Sequence, residues 1–367
     1  MLARGVDAGR MTGVMKLPNG SRRMKSSRFL APWKDSRVKP AIYHCISRVV
    51  DRRFVLDELE REKFRTFLRM QENFSGCRVL SYCIMSNHFH ILLEVPPMPE
   101  EGISDEELLK RLRSIYREGE VEMVALELAE ARRKVADGVA SEEVVERIRQ
   151  RYIYRMHNLS EFMKALLIRF TKWFNRTHDR TGTLWEERFK SVIVESGIAA
   201  RTMAAYIDLN PVRAGMVADP AEYRWSSYGE AIGGGPRGNG KKARAGLVRA
   251  CLSQEGVGFE AGRWAEVGVR YRELMGMALE RKGERAKGGE ESGGLGSALP
   301  LGEMLRHRVR YFTDGAVIGS RAFVNEAFQA ARERFGPRRQ SGARKLRGHG
   351  AAAAGVLWSA RDLRKQV

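Results

Sequence analysis

The sequence predicts an α+β fold whose elements follow one another as β-α-β-β-α-β. Two patterns carry this: short β-branched and apolar runs at strand length, and longer segments between them whose apolar residues recur at helical spacing. Turn and capping residues fall where one pattern gives way to the other.

"AIYHCISRVV" (Ala41–Val50) is β-branched and apolar enough for a first strand, and "DRRF" reads as a basic turn. Leu56 to Phe74 reads as a helix, with Leu59, Phe64, Phe67 and Leu68 on one side. "CRVLSYCIM" and "HFHILLEV" are two strands with Ser86-Asn87 as a tight turn between them. A charged stretch at about 97–157 follows, in which Ser104 with Glu107 makes a capping box and Ser141 opens another helix. It reads as a helical surface insertion. "LSEFMKALLIRFTKWFNRTHDRTG" resumes the pattern, with Phe162, Leu166, Phe170 and Trp173 toward a core and Arg169, Lys172 and Arg176 on another side. "FKSVIVES" (Phe189–Ser196) supplies the fourth strand, which makes the order ferredoxin-like with an antiparallel sheet.

The next helix, "GIAARTMAAYIDLN", is expected to close at Pro211, because the residue before a proline disfavours the helical region. The division expected along the chain is a basic disordered tail (1–38), the ferredoxin-like domain (39–232), a flexible linker (233–247) and a mainly helical accessory region (248–367). Within the last, 303–336 reads as helix, turn at Gly319-Ser320, helix, followed by a basic tail; the competing assignments are auxiliary DNA binding and dimerisation.

Of 367 residues, 65 are Lys or Arg and 45 are Asp or Glu, a formal net charge of +20. That excess points to a polyanion, nucleic acid first. Basic residues interleaved with Glu, Trp and Gly disfavour a membrane surface. No run approaches the ~18 apolar residues of a spanning helix, and the first residues lack the apolar centre of a secretory signal. Cys45, Cys77, Cys83 and Cys251 form no CxxC pair and suit a reducing cytoplasm.

The chemistry starts at His88 and His90. Residues two apart on a strand face the same way, as two ligands of one divalent cation need. Such a pair alone is weak, since a buried hydrogen-bonded histidine beside an exposed one explains it equally. Tyr206 and Asn210, four apart, share a helix face. Asn210 offers a hard carbonyl oxygen suited to Mg²⁺ or Mn²⁺, and Tyr206 a phenolic oxygen able to act as a covalent nucleophile.

"SNHFHILLE", taken with "YIDLNPVRAGMV" and "YRWSSY", resembles the single-tyrosine HUH transposases, specifically their REP-associated tyrosine transposase branch. His88-Phe89-His90 matches the histidine–hydrophobe–histidine motif, and Tyr206 stands five residues before Pro211 as the second motif requires. "RTGTLWEERFKSVIVE" is similar to the Trp-x-x-Arg-Phe segment before the last strand. The resemblance runs from about Lys39 to Tyr228. Where the family often has Pro-Asn before the first histidine, this chain has Ser86-Asn87, a position read as shaping a turn.

The resemblance implies a metal-dependent enzyme that cleaves and transfers single-stranded or hairpin DNA through a 5′-phosphotyrosine, in transposition or in processing REP-like elements. Tyr206 is then catalytic, and His88, His90 and Asn210 hold Mg²⁺ or Mn²⁺. Phosphate contacts are expected from Arg48, Arg52, Arg53, Arg169, Lys172, Arg176, Arg188 and Arg213; Tyr43, Phe89 and Trp185 are candidates to stack bases, with a place in the core favoured for each. A cytoplasmic, nucleoid-associated protein follows, with monomer and homodimer both open. Two other classes compete: a non-catalytic DNA- or RNA-binding regulator on the same scaffold, and a zinc hydrolase, which lacks an evident third ligand.

Overall fold

The computed structural model describes residues 29–233, 240–252, 260–284 (backbone only from 277), 305, 312–313, 315–345 and 357–361. The expected β-α-β-β-α-β series is present as β1 (Ala41–Arg48), α1 (Glu58–Ser75), β2 (Arg78–Ile84), β3 (His88–Val95), a helical insertion, α5 (Leu159–Thr177) and β4 (Lys190–Val194). The insertion comprises α2 (Asp105–Leu112), α3 (Glu118–Ala136) and α4 (Glu142–Ile153). β1 pairs antiparallel with β3 on one side and β4 on the other, and β2 pairs antiparallel with β3.

Local chemistry sets the boundaries. Asp57 and Glu60 form a reciprocal capping box at the start of α1, and Gly76 ends it in the left-handed region at φ 72°. Ser104 caps α2 by accepting from the Glu107 amide at 3.1 Å, as its spacing predicts. α1 and α5 cover one face of the sheet, where Phe64 meets Phe89 at 4.7 Å and Phe170 at 5.0 Å between ring centroids. The insertion buries its own apolar cluster, including Leu108, Leu112, Val121, Leu128 and Val145, against Phe74.

Beyond β4 run α6 (Ile198–Asp208), α7 (Asn210–Arg213), α8 (Ser227–Gly233), α9 (Lys241–Cys251) and α10 (Trp264–Glu284). The expected stop at Pro211 is corrected. The break falls at Leu209, and Pro211 sits in the first turn of α7, where a missing N–H costs nothing. The linker is also shorter than expected. Residues 241–247 belong to α9, and Gly246 lets that helix approach β2 so closely that a Cβ there would lie 2.3 Å from the Val79 carbonyl.

α9 is anchored by a buried ion pair. Arg249 Nη2 and Nε donate to Glu94 Oε1 at 2.8 Å and Oε2 at 3.2 Å, with the Glu94 side chain fully buried. Arg249→Ala is expected to cost about 3–5 kcal/mol by leaving that carboxylate poorly compensated. Denaturant unfolding checks this, and the apolar double replacement Arg249→Met with Glu94→Leu should recover most of the loss. A double variant no more stable than the single one would contradict it.

The C-terminal region departs most from expectation. β5 (Val317–Gly319), β6 (Arg344–Lys345) and β7 (Trp358–Ala360) extend the same sheet, giving the order β2-β3-β1-β4-β5-β7-β6 among the described residues. β5 runs parallel to β4, and α11 (Arg321–Gln329) follows it. The expected helix-turn-helix at 303–336 is therefore corrected: its turn is the end of a strand, Ser320 caps α11, and most of its first helix lies outside the described residues. The tail expected at 1–38 is corrected from residue 29 onward. Phe29 packs on Phe335, Trp33 on Phe323, and the Ala31 amide donates to the Tyr43 hydroxyl. Residues 1–28 lie outside the description. No helix among the described residues is long and apolar enough to cross a membrane.

Candidate functional site

His88 opens β3 and His90 follows on the same face, opposite Arg48 and Ile46 of β1. Phe89 points the other way, into the core with Phe64 and with Trp185 at 5.4 Å. The strand therefore gives its alternate face entirely to burial and leaves the imidazole face to α6. By the same two-residue period, His44, Ile46 and Arg48 of β1 share the imidazole face.

Hydrogen bonds assign three tautomers. His44 Nδ1 lies 2.7 Å from the Phe312 carbonyl, and His44 Nε2 lies 2.9 Å from His90 Nδ1. A carbonyl only accepts, so His44 Nδ1 carries the hydrogen. Complete burial holds the His44 pKa down at about 4, so His44 is neutral and its Nε2 accepts from His90 Nδ1–H. Burial, with the His44 and His88 rings and the Arg213 and Arg48 guanidinium groups close by, also holds His90 well below the usual imidazole range. His90 is left with its lone pair on Nε2. At His88, the Asn87 amide nitrogen donates to the Arg52 carbonyl at 2.9 Å, which turns Asn87 Oδ1 toward His88 Nδ1 at 2.7 Å. His88 is again the donor through Nδ1, which in the neutral ring leaves the lone pair on Nε2.

Tyr206 projects from α6 onto this face. Its ring centroid lies 6.3 Å from that of His90, 6.4 Å from His44 and 4.6 Å from Phe312. The Arg213 guanidinium stacks over the phenol at 4.2 Å and is fixed by bonds to the Tyr206 and Leu305 carbonyls at 2.5 and 2.9 Å. Asn210 donates its amide nitrogen to the Tyr206 and Ile207 carbonyls at 3.3 and 3.2 Å, which reserves Oδ1 as the other end. α6 is held by Asp208, which accepts from Tyr271 Oη at 2.7 Å and the Tyr228 amide at 3.0 Å; burial pushes its pKa up to about 7.

One cavity of about 990 Å³ is lined by His88, His90, Tyr206 and Asn210, and also by Arg48, Arg52, Arg188, Lys190 and Arg213, with Glu186 and Glu187. The phenol and the imidazole pair thus meet within a single chain. Of the expected phosphate contacts, Arg48, Arg52, Arg188 and Arg213 line this cavity; Arg53 is exposed outside its lining. Arg169, Lys172 and Arg176 are not brought to this cavity: they lie on α5, which covers the opposite sheet face, and Arg169 turns to the Ile115 carbonyl in the insertion. Tyr43, Phe89 and Trp185 are 2%, 0% and 8% exposed, so all three are core and none can stack a base.

Sequence reasoning missed His44, Asn87 and Lys190. The faint signal for His44 was a histidine inside an otherwise apolar strand. Asn87 reads in the sequence as turn geometry, whereas it also orients His88. Among the described residues no three His, Cys, Asp or Glu side chains assemble as a metal site.

A mixed α+β fold with an imidazole pair and a phenol in one basic cavity defines a class of site suited to phosphodiester chemistry. Residues 37–104 match the family model described as transposase, IS200-like; the match spans β1 to β3 and includes His88 and His90 but not Tyr206. A solved structure described as a REP-associated tyrosine transposase bound to a REP hairpin aligns at 12% identity, covering 57% of this chain and 86% of that chain, with a TM-score of 0.36. No curated protein sequence matches the chain.

Proposed function

We propose that this chain is a tyrosine transposase of the HUH type, which cleaves single-stranded or hairpin DNA at Tyr206 and rejoins it to a new strand. The observation that carries the reading is the convergence of Tyr206 on His90, 6.3 Å between ring centroids, inside a cavity edged by arginines.

The donor set fits a divalent cation such as Mg²⁺ or Mn²⁺: two imidazoles with lone pairs on Nε2, and the Asn210 amide whose nitrogen is already engaged. When bound there, the cation would supply Lewis-acid polarisation of a phosphate oxygen. None of these ligands is anionic, and Arg48, Arg188, Lys190 and Arg213 stand nearby, so the cavity calls for an anionic guest. DNA phosphate meets that need.

The Tyr206 oxygen attacks phosphorus in line, the P–O3′ bond breaks, and the 3′ oxygen leaves to become a hydroxyl. The product is a 5′-phosphotyrosine. Arg213, 4.2 Å over the ring, places positive charge where phenolate charge develops. An aryl phosphodiester has replaced an alkyl one, so a later 3′-hydroxyl can reverse the attack and join a different strand. His88, His90 and Asn210 would hold the cation, and Arg48, Arg52 and Arg188 hold the phosphates beside the scissile one.

The test is a covalent one. Hairpin oligonucleotides with randomised single-stranded flanks, incubated with the full chain and Mg²⁺ or Mn²⁺, should yield an SDS-resistant protein–DNA band that EDTA abolishes. Binding without any such band would favour the non-catalytic regulator. One observation suits that alternative: Tyr206 is only 3% exposed, roofed by Phe312 and Arg213.

His44 is a positioning residue in this reading. His44→Phe removes the acceptor of His90 Nδ1–H and is expected to weaken Mn²⁺ binding about 10- to 100-fold, as loss of an outer hydrogen-bond partner does. Paramagnetic titration of Mn²⁺ measures this directly. Unchanged affinity in a folded variant would remove His44 from the site.

A further inference from the structure

We infer that Phe54 is a nucleobase-stacking residue at the mouth of the cavity, a subsite for one unpaired base of the DNA whose phosphate enters between His88 and Tyr206. This rests on the proposed reading that single-stranded DNA is the substrate, and it names how the strand is gripped.

Phe54 is 78% exposed, and it lines the same cavity as His88, His90 and Tyr206. Single exposed apolar residues are common on protein surfaces. What sets this one apart is the loop that displays it. Asp51 and Arg52 are successive non-glycine residues with φ of 57° and 55°, a conformation that costs about 1–3 kcal/mol per residue and persists only where neighbours impose it. Three hydrogen bonds impose it. The Val50 amide donates to the Leu184 carbonyl at 3.0 Å, the Leu56 amide to the Ser86 carbonyl at 2.9 Å, and Asn87 Nδ2 to the Arg52 carbonyl at 2.9 Å. Phe54 is thus held out on a braced loop, whose brace includes the amide that orients His88.

The company of Phe54 identifies the guest. Arg48, Arg52 and Arg188 line the same cavity, and Met216, 40% exposed, adds a polarisable thioether. An apolar aromatic face set among guanidinium groups suits a ligand that alternates flat rings with anions, as a single nucleic-acid strand does. Any base offers a π-face, so the subsite grips without demanding a sequence. Because the loop is braced already, stacking would order little that is not ordered beforehand.

The test is a cycle between protein and DNA. Equilibrium binding of a hairpin oligonucleotide with single-stranded flanks is measured by anisotropy in EDTA, where no cleavage competes. An abasic site is moved through the unpaired positions in turn. Phe54→Ala should weaken binding about ten-fold, and Phe54→Trp should retain it. At one unpaired position, removing the base should weaken wild-type binding by a similar factor yet leave Phe54→Ala unaffected. The inference is overturned if Phe54→Ala binds within two-fold of wild type, or if every abasic site costs the two proteins equally. Wild type that still forms the Tyr206 adduct in either case would leave the proposed function standing and remove only the subsite. Wild type that binds no single-stranded oligonucleotide at all would remove both.

Discussion

Replacing Tyr206 with phenylalanine is expected to abolish the SDS-resistant adduct while leaving DNA binding within a few-fold of wild type. The substitution deletes one oxygen and keeps the ring that stacks between Arg213 and Phe312, at 4.2 and 4.6 Å. Packing and the cavity wall should survive. Covalent capture requires the phenolic oxygen itself, so the rate should fall by on the order of 10³-fold or more, to background. A single-turnover assay with end-labelled hairpin DNA reads this out. An adduct formed equally by Tyr206→Phe would mean that another side chain is the nucleophile and that the convergence on His90 serves only packing.

The second large effect belongs to the imidazole pair. His88→Ala is the cleaner probe, because His88 is half-exposed at the cavity while His90 is 3% exposed and bonded to His44. Losing a direct ligand should cost more than losing an outer partner, so Mn²⁺ affinity should drop by more than about 100-fold. Adduct formation should fail at ordinary metal concentrations and return in part with excess Mn²⁺. Asn87→Ala should fall between His88→Ala and wild type, since it loosens His88 without removing it. Equal metal affinity in wild type and His88→Ala would place the cation elsewhere.

The β-α-β-β-α-β frame was legible because its signals are local. The β3 boundaries coincide with the apolar run "HFHILLEV", and Ser104 caps its helix through Glu107 as spacing demands. The histidine pair was legible for the same reason, a period of two along one strand. What was hidden depended on register and on distant chain. His44 reaches His90 only because Ile46 pairs with His90, which puts His44 on the diagonal of an antiparallel pair. Its other bond goes to Phe312, 268 residues away.

The C-terminal strands were hidden by brevity. β5 and β7 have three residues and β6 two, too few to show alternation, and their pairing is what makes them strands. α9 was masked by the glycines around it, although Lys, Arg and Ala dominate its own sequence. The basic face of α5 is legible as a face, yet it lies away from the cavity that holds His88 and Tyr206. Helical periodicity says which residues share a side, but only the packing of Phe64, Phe89 and Phe170 says that α5 lies across the sheet from Tyr206. Leu59, placed on the apolar side of α1, is 61% exposed for the same reason.

Anomalous diffraction from crystals soaked in Mn²⁺ would test the shared cation site most directly. If imidazoles and phenol serve one ion, a single strong peak should lie within about 2.0–2.3 Å of Nε2 on both His88 and His90, on the side facing Tyr206. A peak bound through Nδ1, or one that touches neither histidine while the cavity stays empty at saturating metal, would contradict it.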